Sequence, residues 1–343
     1  MPATSDIGPG PVMNDPLSGV SRAVALSGLD PSESPLTAPP GVPAAPEGGE
    51  AGSTGSIWRL IGRVFVENRL AVVGVVILFV MLVFCFLGPF VYHSGQTSII
   101  LRPISAPGSC GKGLIPGPPC PLGTDVNGFD VLGRLMLGGQ TSLEVGLAAA
   151  AVATILGVVY GAVAGFVGGW LDAVMMRLVD TLLSIPSLLL LIVFAVLFKP
   201  GKDVLILIIG GLAWLYPARL VRGETLTLRT REYVQAVRVM GGTGRRIVYR
   251  HIIPNAVGTI VVNATFQVAD AILALAALSF LQLGIQLPQT DWGQMLSGGT
   301  GYAEDGYWWL ILPAGACIVL VVVAFNFVGD ALRDSLEVRL QQR

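Results

Sequence analysis

Long runs without a single charged side chain constrain this chain more than any other feature. Residues 70–91 and 145–167 carry none at all. In hydrocarbon no water is present to satisfy backbone N–H and C=O groups, so a run of roughly 20 apolar residues, enough to cross about 30 Å, reads as a membrane-spanning helix. Four further segments follow the same logic with a charge near one end or inside. Residues 173–198 hold Arg177 and Asp180 in their first turns, 204–220 end at Arg219, 256–284 are interrupted by Asp270, and 307–329 open on the aromatic belt Tyr307, Trp308 and Trp309. Of the 343 residues 53% are hydrophobic and only 13% are charged, against about 25% in soluble domains. The expected class is an all-α integral membrane protein with six transmembrane helices.

Orientation comes from where the basic residues fall, because short cytoplasmic loops are enriched in Lys and Arg. With the N-terminus inside, the cytoplasmic parts from Arg59 onward hold fifteen of them, eight between Arg219 and Arg250; the three outer loops hold Arg102, Lys112, Arg134, Lys199 and Lys202. Both termini are therefore expected in the cytoplasm. Net charge is −1, so no basic excess points to nucleic acid, and none is expected as a partner.

The chain divides by composition. Residues 1–55 hold ten of the 23 prolines and nine glycines, too little apolar surface to offset ordering entropy, and read as a disordered cytoplasmic tail without signal-peptide pattern. Residues 56–92 read as an amphipathic segment with the first span, and 93–142 as an extracytoplasmic loop. The remaining five spans fall in 143–331, with a cytoplasmic loop at 222–254, and 332–343 form a C-terminal tail.

That cytoplasmic loop contains "EYVQAVRVMGGTGRRIVYRHIIPN" at 232–255. After Glu232, the residues Tyr233, Ala236, Val237 and Met240 recur at i, i+3, i+4 and i+7, which puts one apolar stripe on a short helix. Gly241 and Gly242 end that helix, because glycine tolerates left-handed backbone. Arg245, Arg246 and Arg250 follow, and Pro254 opens the next span. Such a stripe flanked by arginines suits either an anionic lipid surface or a groove on a cytoplasmic partner.

Little else carries chemistry. No phosphate loop of the G-x-x-x-x-G-K-[ST] type occurs, since Gly111-Lys112 and Gly201-Lys202 are not followed by Ser or Thr. His93 and His251 fall on opposite faces of the membrane, so no metal site and no enzyme activity are expected. Cys110 and Cys120, on the oxidising side, either close a small disulfide loop or remain free thiols; Cys85 and Cys317 read as small apolar residues within spans. Asp270, with Asn263 and Gln267 at helical spacing before it, forms a polar stripe that either lines a translocation path or bonds between helices. Arg177 and Asp180, at i and i+3, read as a structural pair.

Several segments resemble one family. "PLGTDVNGFDVLGRL" (121–135) is similar to the "PLGTDxxGRDVLSRL" stretch of the C-type permease of bacterial oligopeptide and dipeptide importers of the ATP-driven ABC class, within the wider peptide/nickel branch. In the same order follow "GGWLDAVMMRLVDTLLSIPSLLL" (168–190), "YPARLVRGE" (216–224), "ALSFLQLGIQLPQTDWGQML" (277–296) and "AFNFVGDALRDSLEVR" (324–339). The loop at 232–255 resembles the family's "EAA" loop, with Gln235-Ala236-Val237 at the triplet, Gly241 at its glycine and Ile253-Pro254 at its Leu-Pro. The resemblance implies a type I importer permease fold in the bacterial cytoplasmic membrane, without catalysis. It implies that Glu232, Tyr233, Gln235, Ala236, Val237, Met240, Gly241, Gly242, Arg245 and Pro254 couple to two cytoplasmic ATPase subunits, which bind ATP and Mg. A second permease subunit in a heterodimer and an extracytoplasmic substrate-binding protein complete the implied complex. An ion-coupled carrier using the intramembrane carboxylates is the alternative, and a membrane anchor without a path is a third; neither accounts for the loop.

Overall fold

The computed structural model describes residues 67–92, 103–108, 120–198 and 201–341. The expectations for the tail 1–55, for His93 and for Cys110 lie outside them. Among the described residues the regular structure is helical, apart from one isolated β-bridge between Thr124 and Asp130. The helices are α1 (Arg69–Val91), α2 (Val131–Val167), α3 (Gly169–Leu183), α4 (Ser187–Phe198), α5 (Lys202–Ala213), α6 (Leu215–Leu228), α7 (Glu232–Val239), α8 (Gly244–Phe280), α9 (Trp292–Thr300) and α10 (Leu312–Gln341). Four of them, α1, α2, α8 and the stretch Trp308–Leu336, are long and apolar enough to cross a membrane, and up to six spans result if each bent pair counts as one.

The third and fourth expected spans are bent pairs. The third is broken between α3 and α4 with an 81° turn. Pro186 sits at that break, and a proline disfavours helical backbone at the residue before it and donates no N–H. The fourth turns by 43° between α5 and α6. There Pro217 stands in the first turn of α6, where its missing N–H costs least but its ring opposes the carbonyl of Ala213.

Two helices begin earlier than hydropathy indicates. α2 opens at Val131 inside the segment assigned to the outer loop, capped by Asp130, whose carboxylate accepts from the Gly133 N–H at 2.9 Å. Its first turns are rich in glycine and hydroxyl residues, which lowers their hydropathy, yet Gly138, Gly139 and Ser142 are buried. A Cβ on Gly139 would lie 2.7 Å from the Trp292 ring. α8 starts at Gly244 and widens into a π turn over Val248–Ile252. Pro254 explains the turn: it cannot donate to the carbonyl one α-helical step back, and the Ile253 N–H bonds the Val248 carbonyl instead.

α2 is the central post, packed on α6, α8 and α5, while α10 packs on α1 and α8. The α2–α6 seam is close because three glycines one turn apart face α6. A Cβ on Gly157 would sit 2.9 Å from the Ala218 nitrogen, on Gly161 2.9 Å from the Arg222 nitrogen, and on Gly165 2.8 Å from the Thr225 Cβ. Small residues at such spacing let helix backbones approach where no hydrophobic drive separates protein from lipid. Near the start of α2, Trp292 is fully buried and clusters with Cys85, Leu143, Cys317 and Val321. Its indole N–H donates to the Leu135 carbonyl at 3.0 Å. Cys85 and Cys317 are buried free thiols, as their reading as small apolar residues requires.

Candidate functional site

The loop between α6 and α8 is built on a small core of its own. α7 lies between Arg231, at its N-cap with extended backbone, and Gly241, whose φ of +81° closes the helix. The Gly242 N–H bonds the Val237 carbonyl at 2.9 Å and the Gly241 N–H the Arg238 carbonyl at 3.0 Å, so the chain reverses tightly after Met240. Val234 is fully buried and packs with Ile247 and Ile252 of α8, flanked by Phe166 of α2, Leu228, Val237 and Val248. At the loop's start the Arg229 guanidinium donates to the Gly165 carbonyl at 2.9 Å, and the Glu224 carboxylate accepts from the Thr259 hydroxyl at 2.8 Å. Arg238 lies over the Phe166 ring at 5.8 Å.

This arrangement divides the expected apolar stripe. Val237 turns partly inward, whereas Tyr233, Ala236 and Met240 face outward. Met240 is 77% exposed and its neighbour Val239 88%. The anchoring residue is Val234, which sequence periodicity passed over. The i, i+3 pair Val234 and Val237, followed by Ile247 and Ile252, was the available signal for an inner face. Gln235 donates to the Thr230 carbonyl at 3.1 Å; Glu232 is exposed in the first turn of α7. Arg231, Arg238, Arg245, Arg246 and Arg250 are all exposed. Pro254 sits in the turn of α8 where regular helix resumes after the π turn.

The intramembrane polar residues part company. Gln267 and Asp270 share a cavity of about 540 Å³ enclosed by Leu183, Leu191, Leu212 and Tyr216 among others, where α3, α4, α5 and α6 face α8. Gln267 is buried and donates to the Ala213 carbonyl at 3.3 Å, at the α5–α6 break. Asn263 does not join them. It lines a separate cavity of about 450 Å³ with Glu224, Thr259, Phe266 and Arg333, toward α10. The stripe at i, i+4 and i+7 climbs about 10 Å along the helix, at 1.5 Å per residue, and that distance carries it past one neighbour to the next.

The expected pairing of Arg177 with Asp180 is also corrected. Asp180 forms its ion pair with Arg219 of α6, and no ion pair joins it to Arg177. The bend between α3 and α4 brings the flank of α3 against α6, where a second pair forms. Arg222 grips Asp172 with Nε to Oδ1 at 2.5 Å and Nη2 to Oδ2 at 2.7 Å. Both were invisible to helix spacing because they join residues far apart in sequence. At the other end of the bundle Cys120 is buried and disulfide-bonded; Cys110 lies outside the described residues. No group of three His, Cys, Asp or Glu side chains suited to a metal ion occurs among the described residues.

Comparison with known proteins adds a family to this geometry. A family model described as "binding-protein-dependent transport system inner membrane component" matches residues 157–342, more than half of the chain. The chain belongs to that family. A second model, the N-terminal transmembrane domain of oligopeptide transport permease C, matches residues 56–107 of this permease. The oligopeptide transport system permease protein OppC of Haemophilus influenzae is 38% identical over 286 residues, covering 82% of this chain and 88% of that protein. The OppC protein of Escherichia coli K12 is 39% identical over 282 residues, covering 82% and 91%. The dipeptide transport system permease protein DppC of Bacillus subtilis is 36% identical over 289 residues, covering 84% and 87%. The permease is thus an oligopeptide/dipeptide ABC permease by relationship and a multi-pass membrane protein.

Proposed function

We propose that this permease is the non-catalytic translocation subunit of an ATP-driven importer that moves di- or oligopeptides across the bacterial cytoplasmic membrane. In this reading each bent pair is one span, giving six, with both termini in the cytoplasm and the 222–254 loop on the same side. The loop seats in separate ATPase subunits, which bind ATP and Mg, and transmits their closure to the bundle. A second, homologous permease completes the path, and an extracytoplasmic binding protein delivers the cargo. Cys120 pairs with Cys110 on that outer face.

One observation carries the proposal: α7 presents Tyr233, Val239 and Met240 outward, on a loop rich in exposed arginines, while Val234 ties the same helix to α2 and α8. An exposed apolar face on a rigidly held helix suits a groove on a partner, and the tie makes its movement a movement of the bundle. Asp270 and Gln267, in the largest cavity among those described here, supply a polar wall for a passing peptide.

The test is a gentle pull-down of the tagged chain from native membranes with mass spectrometry of what stays bound. Recovery of a second permease and one or two P-loop ATPases is expected; recovery of the chain alone would overturn the reading. Gly241→Trp, at a site where a Cβ meets nothing within 4 Å but φ is +81°, is expected to separate ATP hydrolysis from uptake while the spans remain inserted.

A further inference from the structure

A second polar site lies at the end of the bundle opposite the 222–254 loop, where α2 begins and α8 ends. A cavity of about 200 Å³ is lined there by Asn127, Arg134, Gln282, Thr290 and Gln294, with Asp125 at its wall. Arg134 is only 3% exposed and Thr290 likewise 3%. A buried guanidinium carries five N–H donors and is stable only when they are satisfied. Here they are mostly unspent among the described residues. Nη2 reaches Gln294 Oε1 at a long 3.4 Å, Nε lies 3.7 Å from Asp125 Oδ2, and Nη1 has no hydrogen-bond partner. The Thr290 hydroxyl has none either.

The neighbouring carboxylates do not complete the set. Asp125 Oδ1 accepts the N–H groups of Asn127 at 2.9 Å and Phe129 at 2.8 Å, which fixes it as part of a turn. Asp291 turns its oxygens to Ser279 at 2.8 Å and to the first turn of α9. The Phe129 ring covers one face of the guanidinium at 4.5 Å, holding it flat without using a donor. What remains is a planar, cationic, buried donor edge beside a hydroxyl donor. That combination matches a carboxylate, which accepts two parallel N–H bonds and has a further lone pair for a hydroxyl. The volume is below the roughly 300–1,000 Å³ of sites that enclose a whole drug-sized ligand, so it admits one terminal residue and not an entire peptide.

We infer that this cavity is a carboxylate-binding subsite, with Arg134 and Thr290 as its donors, that takes the C-terminal carboxylate of a peptide at the mouth of the permease. The assignment of the ligand to a peptide rests on the importer reading; the carboxylate chemistry does not.

The test therefore has two arms. In the first, thermal unfolding of the full-length protein in detergent is titrated with N-acetylglycine and, separately, with N-acetylglycinamide. The acid is expected to raise the midpoint and the amide to leave it unchanged. Thr290→Val is expected to weaken the acid's effect about tenfold, the size of one lost hydrogen bond to a charged group, and Arg134→Gln to abolish it. Equal responses to acid and amide, no response, or an undiminished response in Thr290→Val would overturn the subsite; the threonine variant decides the matter if Arg134→Gln does not fold. In the second arm the importer, reconstituted with its partners, is offered one peptide as free acid and as C-terminal amide. Preference for the acid that weakens in Thr290→Val supports the peptide assignment. Equal uptake of both, with the N-acetylglycine response intact, overturns that assignment and leaves the carboxylate site. No uptake of either, with the response intact, counts against the importer reading instead.

Discussion

Val234→Ala tests whether the loop works as a rigid lever. Val234 is fully buried against Ile247 and Ile252 and beside Phe166. The substitution removes two methyl groups from that contact while preserving the helical backbone, in which alanine is favoured. At about 0.8 kcal/mol for each buried carbon, plus a cavity term, the loss is about 2 kcal/mol. α7 has 8 residues, too short for an isolated helix to persist in water, so its position depends on this tertiary contact. A change of about 2 kcal/mol raises the undocked population about 30-fold. Amide hydrogen exchange over residues 232–242 is expected to quicken by about that factor, and the ATP hydrolysed per peptide imported by the reconstituted complex is expected to rise. The spans, held by other contacts, retain their exchange rates. Met240→Ala is the control: it removes a side chain 77% exposed, so exchange stays the same while affinity for the ATPase falls. Unchanged exchange and unchanged coupling in Val234→Ala would refute the view that this buried contact ties α7 to the bundle.

Other outcomes follow from single observations. Gly161→Leu drives a side chain into α6, where even a Cβ lies 2.9 Å from the Arg222 nitrogen, and is expected to cost more than the roughly 1–3 kcal/mol of ordinary overpacking; Gly223→Ala on α6, with nothing within 4 Å, is expected to stabilise by up to about 1 kcal/mol, both read as melting temperature in detergent. Burial raises the Asp291 carboxyl from 3.8 to about 6, against the opposing pull of Ser279, the α9 N–H groups and Arg134. Because its folded value is the higher one, the stabilisation is complete below about pH 4 and is lost as pH rises through about 6, on the order of 3 kcal/mol in all. The melting temperature is thus expected to fall between about pH 4 and 6.5 and to level off above that, and Asp291→Asn to flatten that slope; a slope unchanged in the variant would refute the assignment. Asp270→Asn, in the cavity beside Gln267, is expected to reduce uptake of lysine-containing peptides about 3- to 10-fold relative to neutral ones, and equal uptake of both would remove Asp270 from the path.

Much of this protein was legible in one dimension because the membrane restricts what a chain can do. A run such as 70–91 has no alternative to a helix, since its backbone groups can be satisfied only within the segment, and so the helical class and most of the spanning segments follow from hydropathy alone. Gly241 closes α7 as its position after Met240 indicates, because a left-handed turn there needs no tertiary help. Hydropathy failed where burial is between helices rather than in lipid: the glycine- and serine-rich start of α2 reads as a loop, yet it packs beneath Trp292. Pro186 and Pro217 stand at the breaks that hydropathy did not reveal, and the angles of 81° and 43° depend on which neighbours receive the two halves. Only the tertiary structure paired Asp180 with Arg219 and Asp172 with Arg222, turned Val234 inward and Met240 outward, and parted Asn263 from Gln267 and Asp270. Each of these depends on the approach of a second helix, and the side of a helix that meets a neighbour is decided by close packing across the whole bundle, which spacing along one strand of sequence does not encode.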